Sequence, residues 1–162
     1  MKITAHSGIY TLEVKQELSI ELETCWKFFS NPANLSEITP NKMGFIITSN
    51  DFNTTYEGQI ITYKIGLFLG IKSNWVTEIT HIKENEYFVD EQRFGPYKMW
   101  HHEHIFIKID DKKTLMLDKV SYKLPLGILG RIAHFLFVKR MLKNIFTYRK
   151  ESLNKYIDDN LF

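Results

Sequence analysis

The sequence predicts an α+β fold in which a curved antiparallel sheet of seven strands carries one long C-terminal helix, with two short helices after the first strand. Three patterns predict it. Residues Ile9 to Ile20 alternate with a period of two, and the β-rich stretch from Met43 to Leu124 is broken by turn residues into six more strands. After Gly127 the apolar period lengthens to 3.6 and persists nearly to the end of the chain.

In the first strand Tyr10, Leu12, Val14, Gln16 and Leu18 fall on one face. Leu22, Cys25, Trp26 and Phe29 then stand at helical spacing until Ser30-Asn31-Pro32 interrupts them. Asn31 suits the cap of a second helix with Pro32 at its first position, where a missing N–H costs nothing. Leu35 and Ile38 supply its inner face, and Pro40 ends it. The β-region is punctuated at Asn50-Asp51, Glu57-Gly58, Leu69-Gly70, Glu84-Asn85, Gly95-Pro96 and Asp110-Asp111. Turns this short make an antiparallel meander and leave no room for crossover helices. The last helix sets Ile128, Ile132, Phe135, Leu136, Leu142, Ile145, Phe146, Leu153 and Tyr156 along one side, with Gly130 marking a break or late start. At roughly 40 Å it needs an apolar surface of the same length, which the curved sheet supplies.

At 162 residues, 44% apolar and 14% aromatic, the chain suits one domain over residues 1–162 with a large core or a cavity to line. A formal charge of +2 is too small to point to nucleic acid. The helix pair from Leu22 to Ile38 holds Lys27 against two glutamates, Glu23 and Glu37, so it repels phosphate. Cys25 is the sole cysteine, which excludes an intrachain disulfide and reads as a small buried hydrophobe. The first residues lack the apolar run of a signal peptide, so a cytoplasmic location is expected. Ile132 to Val138, the longest apolar-rich stretch, is far shorter than the roughly 20 residues a membrane helix needs. Gly66-x-x-x-Gly70 lacks the lysine and the following helix of a phosphate loop, and no cofactor is expected.

A family resemblance rests on several spaced matches in order. They are Asn31-Pro32-x-x-Leu35-x-x-Ile38-Thr39-Pro40, Phe88-x-Asp90-x-Gln92-x-x-Gly95-Pro96, Trp100-x-His102-x-His104-x-Phe106, Asp118-x-Val120-x-Tyr122-x-Leu124-Pro125 and Ile145-Phe146-x-Tyr148-Arg149. With this element order the chain resembles the START-like (SRPBCC) superfamily, and within it a bacterial branch. That superfamily includes birch-pollen-type allergens, lipid-transfer domains and polyketide cyclases or dehydrases. The resemblance implies the helix-grip fold and a cavity between sheet and helix, and leaves the activity open.

Strand parity puts Trp100, His102, His104 and Phe106 on one face, Asp90 and Gln92 with Phe88 and Phe94, and Asp118 with Val120 and Tyr122. The preferred reading is a pocket for a small hydrophobic or amphipathic molecule. Its aromatic lining gives affinity, and Asp90, Gln92, His102, His104, Asp118 and Tyr122 give orientation. Tyr63 and Trp75 join from neighbouring strands. A second reading makes His102 and Asp90 an acid–base pair for cyclisation or dehydration. A third makes the polar residues a cross-strand network that stiffens a structural or partner-binding module. Two histidines two apart on a strand need a third ligand to hold a metal, and none is assigned. Arg131, Lys139, Arg140, Lys143, Arg149 and Lys150 form a basic cluster that suits a solvated outer face better than a membrane contact.

Overall fold

The computed structural model describes residues 1–49, 55–66, 72–159 and 161. The turns expected at Asn50-Asp51 and Leu69-Gly70, and the far end of Gly66-x-x-x-Gly70, lie outside the described residues. Strands β1 (Lys2–His6) and β2 (Ile9–Leu18) precede helix α1 (Leu22–Phe29) and two 3-10 turns at Pro32–Ser36 and Asn41–Met43. Strands β3 (Ile46–Ile47), β4 (Ile60–Gly66), β5 (Lys72–Lys83), β6 (Tyr87–Phe94), β7 (Met99–Asp110) and β8 (Lys113–Lys123) follow. The chain ends in α2 (Gly127–Ala133), a π-helical turn (His134–Val138) and α3 (Lys139–Asp158).

All the strands pair antiparallel in one sheet, in the order β1-β2-β8-β7-β6-β5-β4-β3. The six strands expected after Met43 are present. The eighth strand is β1, which turns back through Ser7 and Gly8 onto β2, so the helices follow the second strand and not the first. Sequence alternation missed β1 because its side chains are mostly exposed and carry no apolar period. The second short helix is a single 3-10 segment, capped as expected by Asn31 Oδ1 accepting from the Ala33 N–H at 3.0 Å.

The strands bend because β5 and β6 slip register twice. Val76 pairs with Phe94 and Thr77 with Gln92, which leaves Arg93 as the extra residue. That insertion reverses the parity beyond it, so Phe94, expected on the inner face with Phe88, is exposed while Phe88 is buried. Buried Leu12, Val14, Leu18, Ile79, Phe106, Met116 and Val120 of the sheet meet Leu142, Phe146 and Leu153 of α3 and Cys25, Trp26 and Phe28 of α1. Gln16 anchors α3 by donating to Asn154 Oδ1 at 2.8 Å and to the Lys150 carbonyl at 3.2 Å.

The terminal helix does not present the single face expected of it. Its buried residues are Gly130, His134, Leu142, Phe146, Arg149 and Leu153, whereas Ile128, Ile132, Phe135 and Leu136 are exposed. A π turn is wound more widely than an α turn, so it shifts the facing of the residues before it relative to those after it. His134 fixes the inner side of the first half: its ring stacks on Tyr10 at 3.6 Å between centroids, and its Nε2 lies 2.8 Å from the Tyr122 hydroxyl. The helix runs through Gly130 unbroken. A Cβ there would stand 2.1 Å from the Pro125 carbonyl oxygen, so only glycine lets it pack this closely on the preceding loop.

Candidate functional site

Between the sheet, α1, the 31–39 segment and α3 lies a partly open cavity of about 170 Å³. Phe28, Ile38, Ile61, Ile79, Phe88, Tyr97, Leu142 and Phe146 make most of its wall apolar. Of the residues singled out from sequence, Tyr63, Trp75, Asp90, Trp100, His102 and His104 line it. The other four stand off the wall. Phe106 packs edge-on to Trp26 with ring centroids 5.6 Å apart. Tyr122 is turned toward His134. Gln92 braces the Gly95-Pro96 turn: its Nε2 donates to the Tyr97 carbonyl at 2.7 Å and its Oε1 accepts from the Tyr97 N–H at 3.1 Å. Asp118 sits behind the histidines and holds them.

The polar pole of the cavity follows from strand register. Across β6 and β7 Asp90 faces His102, and across β7 and β8 His104 faces Asp118. The hydrogen bonds run along the diagonals. His102 Nε2 lies 2.8 Å from Asp118 Oδ1, and His104 Nε2 lies 2.9 Å from Asp90 Oδ2. The directly opposed pairs are looser, with His102 Nδ1 3.3 Å from Asp90 Oδ2 and His104 Nδ1 3.2 Å from Asp118 Oδ1. The pairing of His102 with Asp90 read from sequence is therefore the weaker of the two contacts His102 makes. Ring centroids of His102 and His104 are 3.7 Å apart. Arg149 of α3 closes the group: its Nη1 donates to Asp118 Oδ1 at 3.3 Å, and its guanidinium carbon lies 5.0 Å from the Phe146 ring centre.

Charge balance organises this cluster. Burial disfavours every ionised form here, but His102 and His104 hold the Asp90 carboxyl well below the usual carboxylate range. Burial also opposes ionisation of Asp118, and Arg149 together with the two histidines overrides it. His102 is raised: burial works against its charge, and Asp90 and Asp118 outweigh that. Two carboxylates, Arg149 and one protonated histidine sum to zero, the cheapest state for a group this dry. Among the described residues His104 Nδ1 and Arg149 Nε are buried without a hydrogen-bond partner.

Sequence reasoning placed Arg149 in the solvated basic cluster, yet it is buried and lines the cavity. Its spacing from Leu142, Phe146 and Leu153 carries the signal, since all four fall on one helical stripe. Thr77 was also missed. Its Oγ1 accepts from Trp75 Nε1 at 3.0 Å and shares a hydrogen bond with the Tyr63 hydroxyl, which satisfies the polar atoms of these two rings on the wall. Cys25 is fully buried, and that burial, with the Asp118 carboxylate adding to it, pushes its thiol up to about 12. It is no nucleophile at neutral pH.

Asp90, His102 and His104 offer donor atoms within 4.8 Å of one another. Two metal–ligand bonds of about 2.1 Å bridge at most about 4.2 Å, so the side chains would have to close in around an ion. As they stand they are joined by hydrogen bonds to one another and to Asp118.

No protein-family model matches the chain, and no curated protein matches it. Solved structures do. An aromatase/cyclase, Zhui from Streptomyces sp. R1128, superposes with a TM-score of 0.74 at 9% identity, covering 95% of this chain and 96% of that one. The protein Ms6760 from Mycobacterium smegmatis matches at 0.68 and 13% identity over 99% and 98% of the two chains. A START superfamily protein from the same organism matches at 0.65 and 12%, over 92% and 97%. This chain has the START-like helix-grip fold. Identities this low carry the fold alone, so for this helix-grip chain the function must be argued from the cavity.

Proposed function

We propose that residues 1–162 act as one ligand-binding domain, whose cavity takes a small, mostly apolar molecule bearing one neutral oxygen function. A single observation carries this reading: Asp90, His102, His104, Asp118 and Arg149 converge on one pole of a cavity that is otherwise aromatic and aliphatic. Apolar residues of equal volume would stabilise such an interior at least as well, so folding alone does not call for this cluster. An apolar lining with a few convergent polar groups is the usual form of a small-molecule site. Because Asp90 and Asp118 are balanced by Arg149 and a charged His102, the pole suits a carbonyl or hydroxyl better than a carboxylate. A free volume near 170 Å³ compares with engineered cavities of about 150 Å³ that accept benzene, so the occupant is of the order of one aromatic ring unless side chains move.

Saturation-transfer NMR with acetophenone and ethylbenzene tests the reading. Acetophenone is expected to bind more tightly, and Ile145→Trp, which fills the wall from α3, is expected to abolish binding of both without lowering thermal stability. Failure of both probes to bind, or binding to Ile145→Trp as to the parent, overturns the reading.

A second reading is favoured by the same histidines lining the cavity. Proton transfer of the cyclisation or dehydration kind would use His102, whose charged form Asp90 and Asp118 stabilise. Turnover of a polyketone that is lost in His102→Gln with binding retained would select it over simple binding.

A further inference from the structure

The first turns of the terminal helix turn an apolar face to solvent. Leu126, Ile128, Leu129, Ile132, Phe135 and Leu136 are 77%, 66%, 66%, 50%, 80% and 53% exposed. This face is a consequence of the fold. Gly130 and His134 occupy the inner side, held by the Pro125 loop, Tyr10 and Tyr122, so the large apolar residues point outward. Single exposed apolar residues need no explanation, but six within eleven positions form a patch of the size that marks an interaction surface. Leu126 adds a second sign. It holds a left-handed backbone (φ 64°), costly for a bulky residue, while its side chain stands largely in solvent.

The surrounding charge is of one sign. Arg131 on these turns and Lys139, Arg140 and Lys143 on the turns that follow are exposed, and none makes an ion pair among the described residues. No acidic residue occurs between Asp118 and Glu151. A helix with bulky apolar side chains beside free lysines and arginines has the composition of one that lies in a lipid interface. A contact between two copies of this face through a twofold axis would set the cationic strip against itself. An anionic lipid surface answers both parts of the patch at once. Among the described residues no helix is long and apolar enough to cross a membrane, so the geometry is docking and not spanning.

We propose that residues 126–143 dock the protein on an anionic lipid surface, with Leu126, Ile128, Leu129, Ile132, Phe135 and Leu136 entering the headgroup boundary and Arg131, Lys139, Arg140 and Lys143 meeting the phosphates. The inner side of the same helix carries Met141, Leu142 and Ile145 into the cavity wall, so the docking segment adjoins the part of the helix that lines the cavity. Docking does not depend on what the cavity holds.

Co-sedimentation with vesicles of phosphatidylcholine alone, and of equimolar phosphatidylcholine and phosphatidylglycerol, tests this. The protein is expected to sediment with the anionic vesicles, less with the neutral ones, and less as salt is raised. Ile132→Ser with Phe135→Ser removes two exposed side chains and is expected to weaken binding about tenfold or more while thermal stability holds. Lys139→Glu with Arg140→Glu keeps the apolar face and is expected to abolish the preference for anionic vesicles. The proposal is overturned if the parent stays in the supernatant with both compositions, or if the serine variant binds as the parent does. It is equally overturned if sedimentation velocity without lipid shows a dimer that the serine variant dissolves, because a second copy then covers the face. Acetophenone binding in the serine variant, measured without vesicles, separates this outcome from failure of the cavity reading.

Discussion

Within the polar pole, individual residues hold one another in charge states that water alone would not give them. His102 is raised in the fold, so its contribution to stability is complete below its ordinary value of 6.5 and is lost as pH rises through the folded value. Asp90 and Asp118 are depressed, so theirs is complete above the ordinary carboxylate value of 3.8 and is lost as pH falls toward the folded values. Both contributions are whole only between these limits. Thermal stability is expected to peak in mildly acidic buffer and to decline through neutral pH, and in His102→Gln the decline on the alkaline side should flatten. A variant with the same alkaline slope as the parent would show that His102 is not the group responsible. Much of this cluster was legible as parity: a period of two put His102 and His104 on one face and set Asp90 and Asp118 on adjoining strands. Which carboxylate bonds which histidine was not legible, because it depends on side chains reaching diagonally across a register that spacing within a strand does not define.

Among the elements, the terminal helix departs furthest from its periodic pattern. Apolar residues at helical spacing from Ile128 onward read as one stripe, but the π turn at His134–Val138 divides that stripe into an exposed half and a buried half. The extra width of a π turn has no residue signature, and here it accompanies the anchoring of His134 between Tyr10 and Tyr122. Gly130 sets how closely the first half approaches the sheet. Gly130→Ala gains about 1 kcal/mol of helix propensity but thrusts a methyl group at the Pro125 carbonyl, and overpacking against backbone costs typically 1–3 kcal/mol. Equilibrium denaturation is expected to show a net destabilisation of up to about 2 kcal/mol. A gain in stability would mean that the Leu124–Gly127 connection is free to shift. The β5–β6 bulge at Arg93 is a parallel case: it moved Phe94 outward, and alternation read along β6 alone had placed it inside.

For the whole molecule, assembly of the sheet depends on contacts distant in sequence. β2 pairs with β8, so residues 10–18 meet 114–122, and β1 covers the outer edge of β2. Removal of residues 1–7 deletes few buried side chains but bares a ten-residue edge, and bare edges pair with other chains. The truncated protein is expected to keep acetophenone binding and to associate with rising concentration on size exclusion, where the parent's elution does not shift. A truncated protein that elutes without concentration dependence would show that β2 is protected by other means. From its sequence alone this chain is committed to an antiparallel sheet with a long covering helix, to an aromatic interior, and to histidines and carboxylates on facing strands, because period and turn chemistry are local properties of residues. Tertiary structure decided the eighth strand, the burial of Arg149 against Asp118, the split of the terminal helix and the exposed apolar face. Each of those follows from which distant residues meet, and a linear pattern does not contain that information.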